Sequence, residues 1–241
     1  MANERQNILS ETLRKNLGGT RRSEILDAAA LVIIERGFEQ TRFTDIAKAS
    51  GVSVGTLQHY FGGLEALLIE ACLETCDADF RETSTIADSI TSPWDRLLWV
   101  TKMMMACDRP GRAWQVRIEL WHAAVSRPYL RDEVARMQNE WHGLVESALR
   151  YGIDGGVFDS TVDVARLAVH LAATCGGSVF PVWMNNARFD IVAFEAYVVD
   201  DLAGTLGSYP EGFIDLDVIE RTYRPGGRSL YGFKPSAAAD G

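Results

Sequence analysis

Apolar residues along this chain recur mostly three and four positions apart, the period of helices that pack on one face. Ile25, Leu26, Ala29, Val32 and Ile33 form the first stripe, which predicts a helix over residues 21–36 stopped by Gly37. Two short segments follow, at about 44–50 and 54–60, with Gly51 between them. Gly62-Gly63 breaks the chain before a fourth stripe of Leu64, Leu67, Leu68, Ala71, Cys72 and Thr75. The pattern then changes. Trp94, Leu97, Leu98, Trp99, Val100, Met103, Met104 and Met105 leave almost no polar face, which predicts a helix enclosed by others and opened by Pro93. The next helix, at 111–125, puts Trp114, Ile118, Trp121 and Val125 in one row. Another opens at Pro128 with Leu130, Val134, Met137, Trp141, Val145 and Leu149 in register and ends at Gly155-Gly156. Two more are expected at 162–184 and 190–206, and a short one at 215–222.

The expected fold class is therefore all-α, with an N-terminal three-helix head of helix-turn-helix type and a larger helical bundle. The expected division is a loose arm at 1–20, a head at 21–66, a body at 67–207 and a C-terminal extension at 208–241.

The segment TDIAKASGVSVGTLQHYF, residues 44–61, carries the most specific chemistry. A helix that reads DNA enters the major groove with its N-terminal half close to the bases, and small residues there permit the approach. Ser53, Gly55 and Thr56 fit, and Gly51 suits the tight turn. Ile46, Ala47, Val52 and Leu57 are placed to pack the two short helices together. Thr44, Ser53, Val54, Gly55, Gln58 and His59 remain outward, with Tyr60 at the exit, where phosphate contact and core packing are both open. Hydroxyls, an imidazole and a phenol are phosphate ligands, and the Gln58 amide can pair with adenine.

Charge sharpens this reading. The chain carries a net charge of −9, yet its first 65 residues hold eight basic and eight acidic groups, so the remainder holds the whole excess. An acidic body repels phosphate and leaves the head as the DNA contact, while a neutral head implies modest non-specific affinity. No apolar run is long enough to span a bilayer, and residues 1–17 lack the apolar core of a secretory signal, so a cytosolic protein is expected.

Gly37-Phe38, Thr41, Asp45-Ile46-Ala47, Ala49, Gly51-Val52-Ser53, Gly55-Thr56-Leu57, Tyr60-Phe61 and Glu65-Ala66-Leu67 resemble the head of the tetracycline-repressor family of bacterial regulators, over residues 21–68. The stretch from Glu119 to Trp141 is similar to the choline-responsive repressor subgroup. The resemblance implies a homodimer, a palindromic double-stranded operator, an effector pocket in the helical body, and DNA contact by Ser53 to Tyr60. Three positions depart from the family pattern. Val54 stands where a lysine is frequent, Gln58 where a base-reading tyrosine is frequent, and Leu64 where a lysine usually holds a phosphate. Each lost cation is expected to flatten the salt dependence of binding by about one unit of slope. Arg42, near the start of the second short helix, is expected to return one phosphate contact.

The body supplies six tryptophans and a run of three methionines, with a few polar groups among them. Such walls suit a bulky, largely apolar or aromatic effector, and the expected lining is Trp99, Met103, Trp114, Arg117, Trp121, Trp141, His170 and Thr174. The alternative is that these side chains simply fill the core. The last two long helices are expected to form the dimer contact through Ala172, Gly176, Val198 and Leu202. No metal or cofactor is expected. His122, His142 and His170 as a metal trio, and Cys72 with Cys76 as soft ligands, stand beside the reading of these cysteines as small apolar core residues. No nucleophile motif, phosphate loop or zinc-protease motif is present, so no enzyme is expected. The expected function is a DNA-binding regulator of repressor type, released from its operator by an effector. The competing class is a ligand-binding or scaffold protein with a weakened head.

Overall fold

The computed structural model describes residues 21–105, 111–211 and 216–223, and all secondary structure among them is helical. The expected N-terminal arm, Cys107 and the tail beyond residue 223 lie outside the described residues. The chain divides into two compact units, residues 1–76 with 115–126, and residues 77–114 with 127–241.

The first unit is built on α1, residues 21–36, whose Ile25, Ala29, Ala30 and Ile33 are fully buried. Gly37 ends it at φ +84°, and its amide closes on the Ile33 carbonyl at 2.7 Å. α2, Phe43–Ser50, and α3, Val54–Phe61, follow in quick succession. Gly51 stops α2 in the left-handed region at φ +67°, and Ser53 caps α3, its hydroxyl accepting the Thr56 amide at 3.1 Å. Ile46 and Leu57 are both fully buried. Each such side chain contributes about 1.5–3 kcal/mol by leaving water.

α4, Leu64–Ser89, begins in this unit and ends in the other. Its Leu67, Leu68, Ala71 and Cys72 are buried as the stripe predicts, whereas Leu64 and Thr75 sit at its edge. Cys72 and Cys76 are free, buried thiols one turn apart. Burial, then the nearby Cys76 and Glu119, pushes the Cys72 thiol up, which suits a packing role rather than a reactive one.

In the second unit α5, Pro93–Met104, is the axis. Trp94 and every residue from Leu97 to Met105 are buried, Thr101 and Lys102 included. Trp99 donates its Nε1–H to the Thr83 carbonyl at 3.0 Å, and Trp94 donates to Ser208 Oγ at 3.2 Å. α6, Arg112–Ser126, follows. Its buried positions are Ala113, Trp114, Val116, Arg117, Leu120, Ala123 and Ala124, while Ile118 and Trp121 lie at the margin and Val125 is exposed.

A short 3-10 turn, Pro128–Leu130, leads into α7, Arg131–Asp154, whose Met137, Trp141, Val145 and Leu149 are buried. The single helix expected at 162–184 is two: α8, Val164–Gly177, and α9, Val179–Trp183. Pro181 has no amide to offer the Gly177 carbonyl, and Ser178 turns its hydroxyl onto the Cys175 carbonyl at 2.6 Å. α10, Ile191–Leu206, is capped by Asp190, and α11, Leu216–Tyr223, lies against α5. Tyr223 donates to Asp95 Oδ2 at 2.6 Å. Its phenol is pushed up to about 12 by burial and then by that carboxylate.

Candidate nucleic-acid interface

The α2–turn–α3 pair exposes Thr44, Lys48, Ser53, Gly55, Gln58 and His59. Val54, Thr56 and Tyr60 are half-buried. Thr56 shares its hydroxyl with Ser53 at 2.8 Å, so the cap also fixes a polar side chain at the N-terminal end of α3. Gly55 there carries no side chain to hold a phosphate or base edge away. One turn on, Gln58 presents its amide to solvent, beside the exposed imidazole of His59, whose ring meets Tyr60 edge-on at 6.0 Å. The positive end of the α3 dipole, two hydroxyls and an amide therefore share one exposed region, a geometry suited to phosphate and base-edge contact.

Arg42 is exposed and also serves its own turn. Its Nη1 folds back onto the carbonyls of Glu39 at 2.9 Å and Thr41 at 3.2 Å, completing the turn before α2. The rest of its exposed fork faces solvent. The Arg42 amide donates to Asp45 Oδ2 at 3.0 Å, and Asp45 also pairs with Arg36 at 3.3 Å. One carboxylate thus joins the end of α1 to the first turn of α2, where the helix dipole favours it.

Two further side chains set the frame of this surface, and local pattern gave no signal for either. Arg22 donates to Glu70 Oε1 at 2.8 Å and to the Tyr60 carbonyl at 3.0 Å, with its guanidinium 4.4 Å from the Phe61 ring centroid. It thereby fastens α1 to the end of α3 and to α4. Glu119 of α6 accepts the Phe38 amide at 2.7 Å. The partners lie 48 and 81 residues apart, so only the fold unites them.

The expected effector residues are not all brought together. Trp99, Met103 and Trp141 join one buried cluster of the second unit, Trp141 meeting Phe80 edge-on at 5.6 Å. Trp114 is buried, its ring edge 4.0 Å from where a Cβ on Gly176 would stand, and Thr174 is half-buried. Arg117 is buried and Trp121 half-buried, both in the first unit. His170 is exposed, contrary to its place in an apolar stretch, because Leu167, Ala168, Leu171 and Cys175 form the inward stripe of α8 and turn it outward. A separate cleft of about 590 Å³ in the second unit is lined by Trp94, Asp95, Tyr209, Glu211 and Ile219, among others, and by none of the expected residues.

The expected dimer residues also divide. Val198 and Leu202 are 3% and 1% exposed, inside the chain's own core. Ala172 and Gly176 are half-buried. The exposed apolar side chains are instead Val169 of α8, Phe180 and Trp183 of α9, Met184, and Val192 and Tyr197 of α10. Among the described residues no three His, Cys, Asp or Glu side chains converge as metal ligands, and no helix is long and apolar enough to cross a membrane.

Comparison with known proteins agrees with this architecture. Residues 25–71 match the family described as bacterial regulatory proteins, tetR family, and residues 93–207 match the C-terminal part of BetI-type transcriptional repressors. The fatty acid metabolism regulator protein of Bacillus subtilis is 26% identical over 186 residues, covering 73% of this chain and 91% of that protein. The transcriptional repressor KstR2 of Rhodococcus jostii is 29% identical over 150 residues, covering 60% of this chain and 71% of that protein. A crystal structure of a transcriptional regulator from Saccharomonospora viridis in complex with choline superposes with a TM-score of 0.67 at 23% identity, over 77% of this chain and 96% of the other.

Proposed function

This chain belongs to the tetR family of bacterial regulatory proteins, and on that premise we propose how its own residues perform the regulator's work. It is a ligand-responsive, DNA-binding transcriptional repressor. The observation that carries the detailed reading is the exposed, Ser53-capped start of α3, with Gly55 open to approach and Gln58 one turn on. α3 enters the major groove, Ser53, Thr44 and His59 hold phosphates, and Gln58 reads an adenine edge. The expected site is palindromic, because two copies of the chain present two α3 helices about 34–36 Å apart.

The partner is a second copy of this chain, joined through the exposed apolar face of α8, α9 and α10. Large apolar side chains left in water on these helices suit a partner surface. Tyr197, 72% exposed, is the residue to alter rather than the buried Val198. Tyr197→Asp is expected to shift the protein from dimer to monomer in sedimentation velocity without loss of helix content. A dimer of unchanged affinity would move the interface elsewhere.

The effector is a bulky, mostly apolar molecule held in the helical body, among large side chains such as Trp99, Met103 and Trp141. Its binding alters α4 and α6, helices that each contribute residues to both units. The head shifts, the spacing between recognition helices is lost, and the operator is released. The protein works in the cytoplasm, where the chromosome is, and turns over no substrate.

Gel shifts on a selected operator duplex test the reading. Gln58→Ala is expected to weaken specific binding by about 1–3 kcal/mol and to relax preference at one base pair per half-site. An unchanged base preference would remove Gln58 as a reader. Ligands that stabilise the body in a thermal-shift screen should abolish the shifted band at saturation, and persistent binding would overturn the release model.

A further inference from the structure

Residues 115–126 of α6 belong to the same compact unit as α1, α2 and α3. Within that unit Glu119 makes a contact of an unusual kind. Its carboxylate accepts the Phe38 amide at 2.7 Å, just beyond the residue that terminates α1. Gly37, at φ +84°, has no side chain, and the two Glu119 oxygens stand 3.7 and 4.0 Å from where its Cβ would be. The glycine is needed as the helix stop, and the carboxylate lies at ordinary van der Waals distance from where its side chain would begin. The next hydrogen bond in this turn runs from the buried Thr41 hydroxyl to the Gly37 carbonyl at 2.8 Å, and Thr41 leads directly into α2. Phe38 is itself 3% exposed, so its ring and amide are both fixed.

On α6, Arg117 and Trp121 lie one turn apart on one side, while Glu119, two residues from each, projects about 200° around the helix from either. The helix thus turns one face to the α1–α2 turn, with Arg117 and Trp121 on the opposite side.

We propose that Glu119 is the positioning residue through which α6 fixes the α1–α2 turn, and with it the angle at which α2 and α3 are presented to an operator. This rests on the reading of the chain as an operator-binding regulator. The Glu119 carboxylate acts by reach and acceptance: it holds one amide, and a rotation of α6 withdraws it. When it is withdrawn, the turn between α1 and α2 loses its anchor while the helices themselves stay folded.

The experiment uses the full chain and a duplex recovered by selection from a random double-stranded library, with an unrelated duplex of equal length as the non-specific control. Glu119→Ala removes the acceptor, Glu119→Asp shortens its reach by one methylene, and Glu119→Gln keeps the reach with a neutral oxygen. The alanine and aspartate variants are expected to bind the selected duplex about tenfold more weakly, as fits loss of a charge-assisted hydrogen bond to a buried amide. Their affinity for the control duplex should not change, and exchange of the Phe38 amide should quicken at least as much. The glutamine variant should recover most of both. Wild-type affinity in the alanine and aspartate variants overturns the proposal, as does an equal loss on both duplexes, which marks a merely structural role. Failure of the unaltered protein to enrich any sequence would instead defeat the operator-binding reading and leave Glu119 without a target.

Discussion

Glu195→Gln is expected to lower the unfolding free energy of the helical body by about 3–5 kcal/mol, the usual cost of removing one partner from a buried ion pair. Lys102 Nζ stands 2.7 Å from Glu195 Oε1, with the lysine side chain 2% and the glutamate side chain 12% exposed. Lys102 is itself buried, among residues of α5 that are all buried. Neutralising the carboxylate leaves that charge facing a weaker dipole in a medium of low polarity. Lys102→Met is expected to cost less, since the partner it leaves behind is closer to solvent. The double change Lys102→Met with Glu195→Leu should return most of the loss, because an apolar pair of similar volume replaces two desolvated charges. Denaturant unfolding followed by circular dichroism measures all three. Single variants within about 1 kcal/mol of the unaltered protein would show that the pair is hydrated in solution, as exposed pairs of that worth are.

Gly152→Ala should also destabilise the body, by about 3 kcal/mol or somewhat more, at the upper end of what overpacking costs. In an ordinary helix interior the same change stabilises by about 1 kcal/mol, so the sign is itself diagnostic. A Cβ at Gly152 would stand 2.1 Å from two carbons of the Phe158 ring. That ring is 4% exposed and meets Trp94 edge-on at 5.1 Å. The backbone allows no retreat either, since the Val157 and Phe158 amides both donate to the Gly152 carbonyl, at 2.9 and 3.2 Å. Phe158→Leu in the Gly152→Ala background should recover part of the loss by freeing space. A stabilised Gly152→Ala protein would mean that the ring of Phe158 does not rest on α7.

What the sequence conveys depends on the distance over which each residue acts. Gly51, Ser53 and Leu57 do their work within one turn of chain, by a left-handed stop, a cap and an apolar contact. All three were legible, and the helix-turn-helix pair could be drawn from them. The enclosure of α5 was equally plain, because an apolar surface on every side has no other solution. Lys102 of the same helix finds its partner 93 residues away, and nothing local points to it. Glu119 and Arg22 belong to the same class: their partners are set by packing, not by spacing.

An apolar row does not by itself say which side of a helix is inward. Of the row on α6, Trp114 is buried, Ile118 and Trp121 lie at the margin and Val125 is exposed, while Ala113, Val116, Arg117, Leu120, Ala123 and Ala124 complete the buried positions. His170 was read as inward from its apolar neighbours, although the stripe of Leu167, Leu171 and Cys175 rotates it into solvent. Val198 and Leu202 follow the reverse logic. They were assigned to a partner chain when the protomer's own core had already claimed them, and the exposed Val192 and Tyr197 are the better candidates. A single helix stripe cannot say which of two apolar faces meets a neighbour in the same chain and which meets a second copy.

On the proposed reading, the departures at Val54 and Leu64 bear on how tightly the operator is held rather than on whether it is read, and recognition rests more on Gln58 and on the hydroxyls of Ser53 and Thr44. The most direct measurement is therefore selection of binding sites from a random double-stranded library, run in parallel with the unaltered protein and with Gln58→Ala. The unaltered protein is predicted to enrich a palindrome with half-sites about one helical turn apart, and Gln58→Ala to lose preference at one symmetric pair of positions. Enrichment of no sequence by the unaltered protein, at salt low enough to permit binding, would contradict the account.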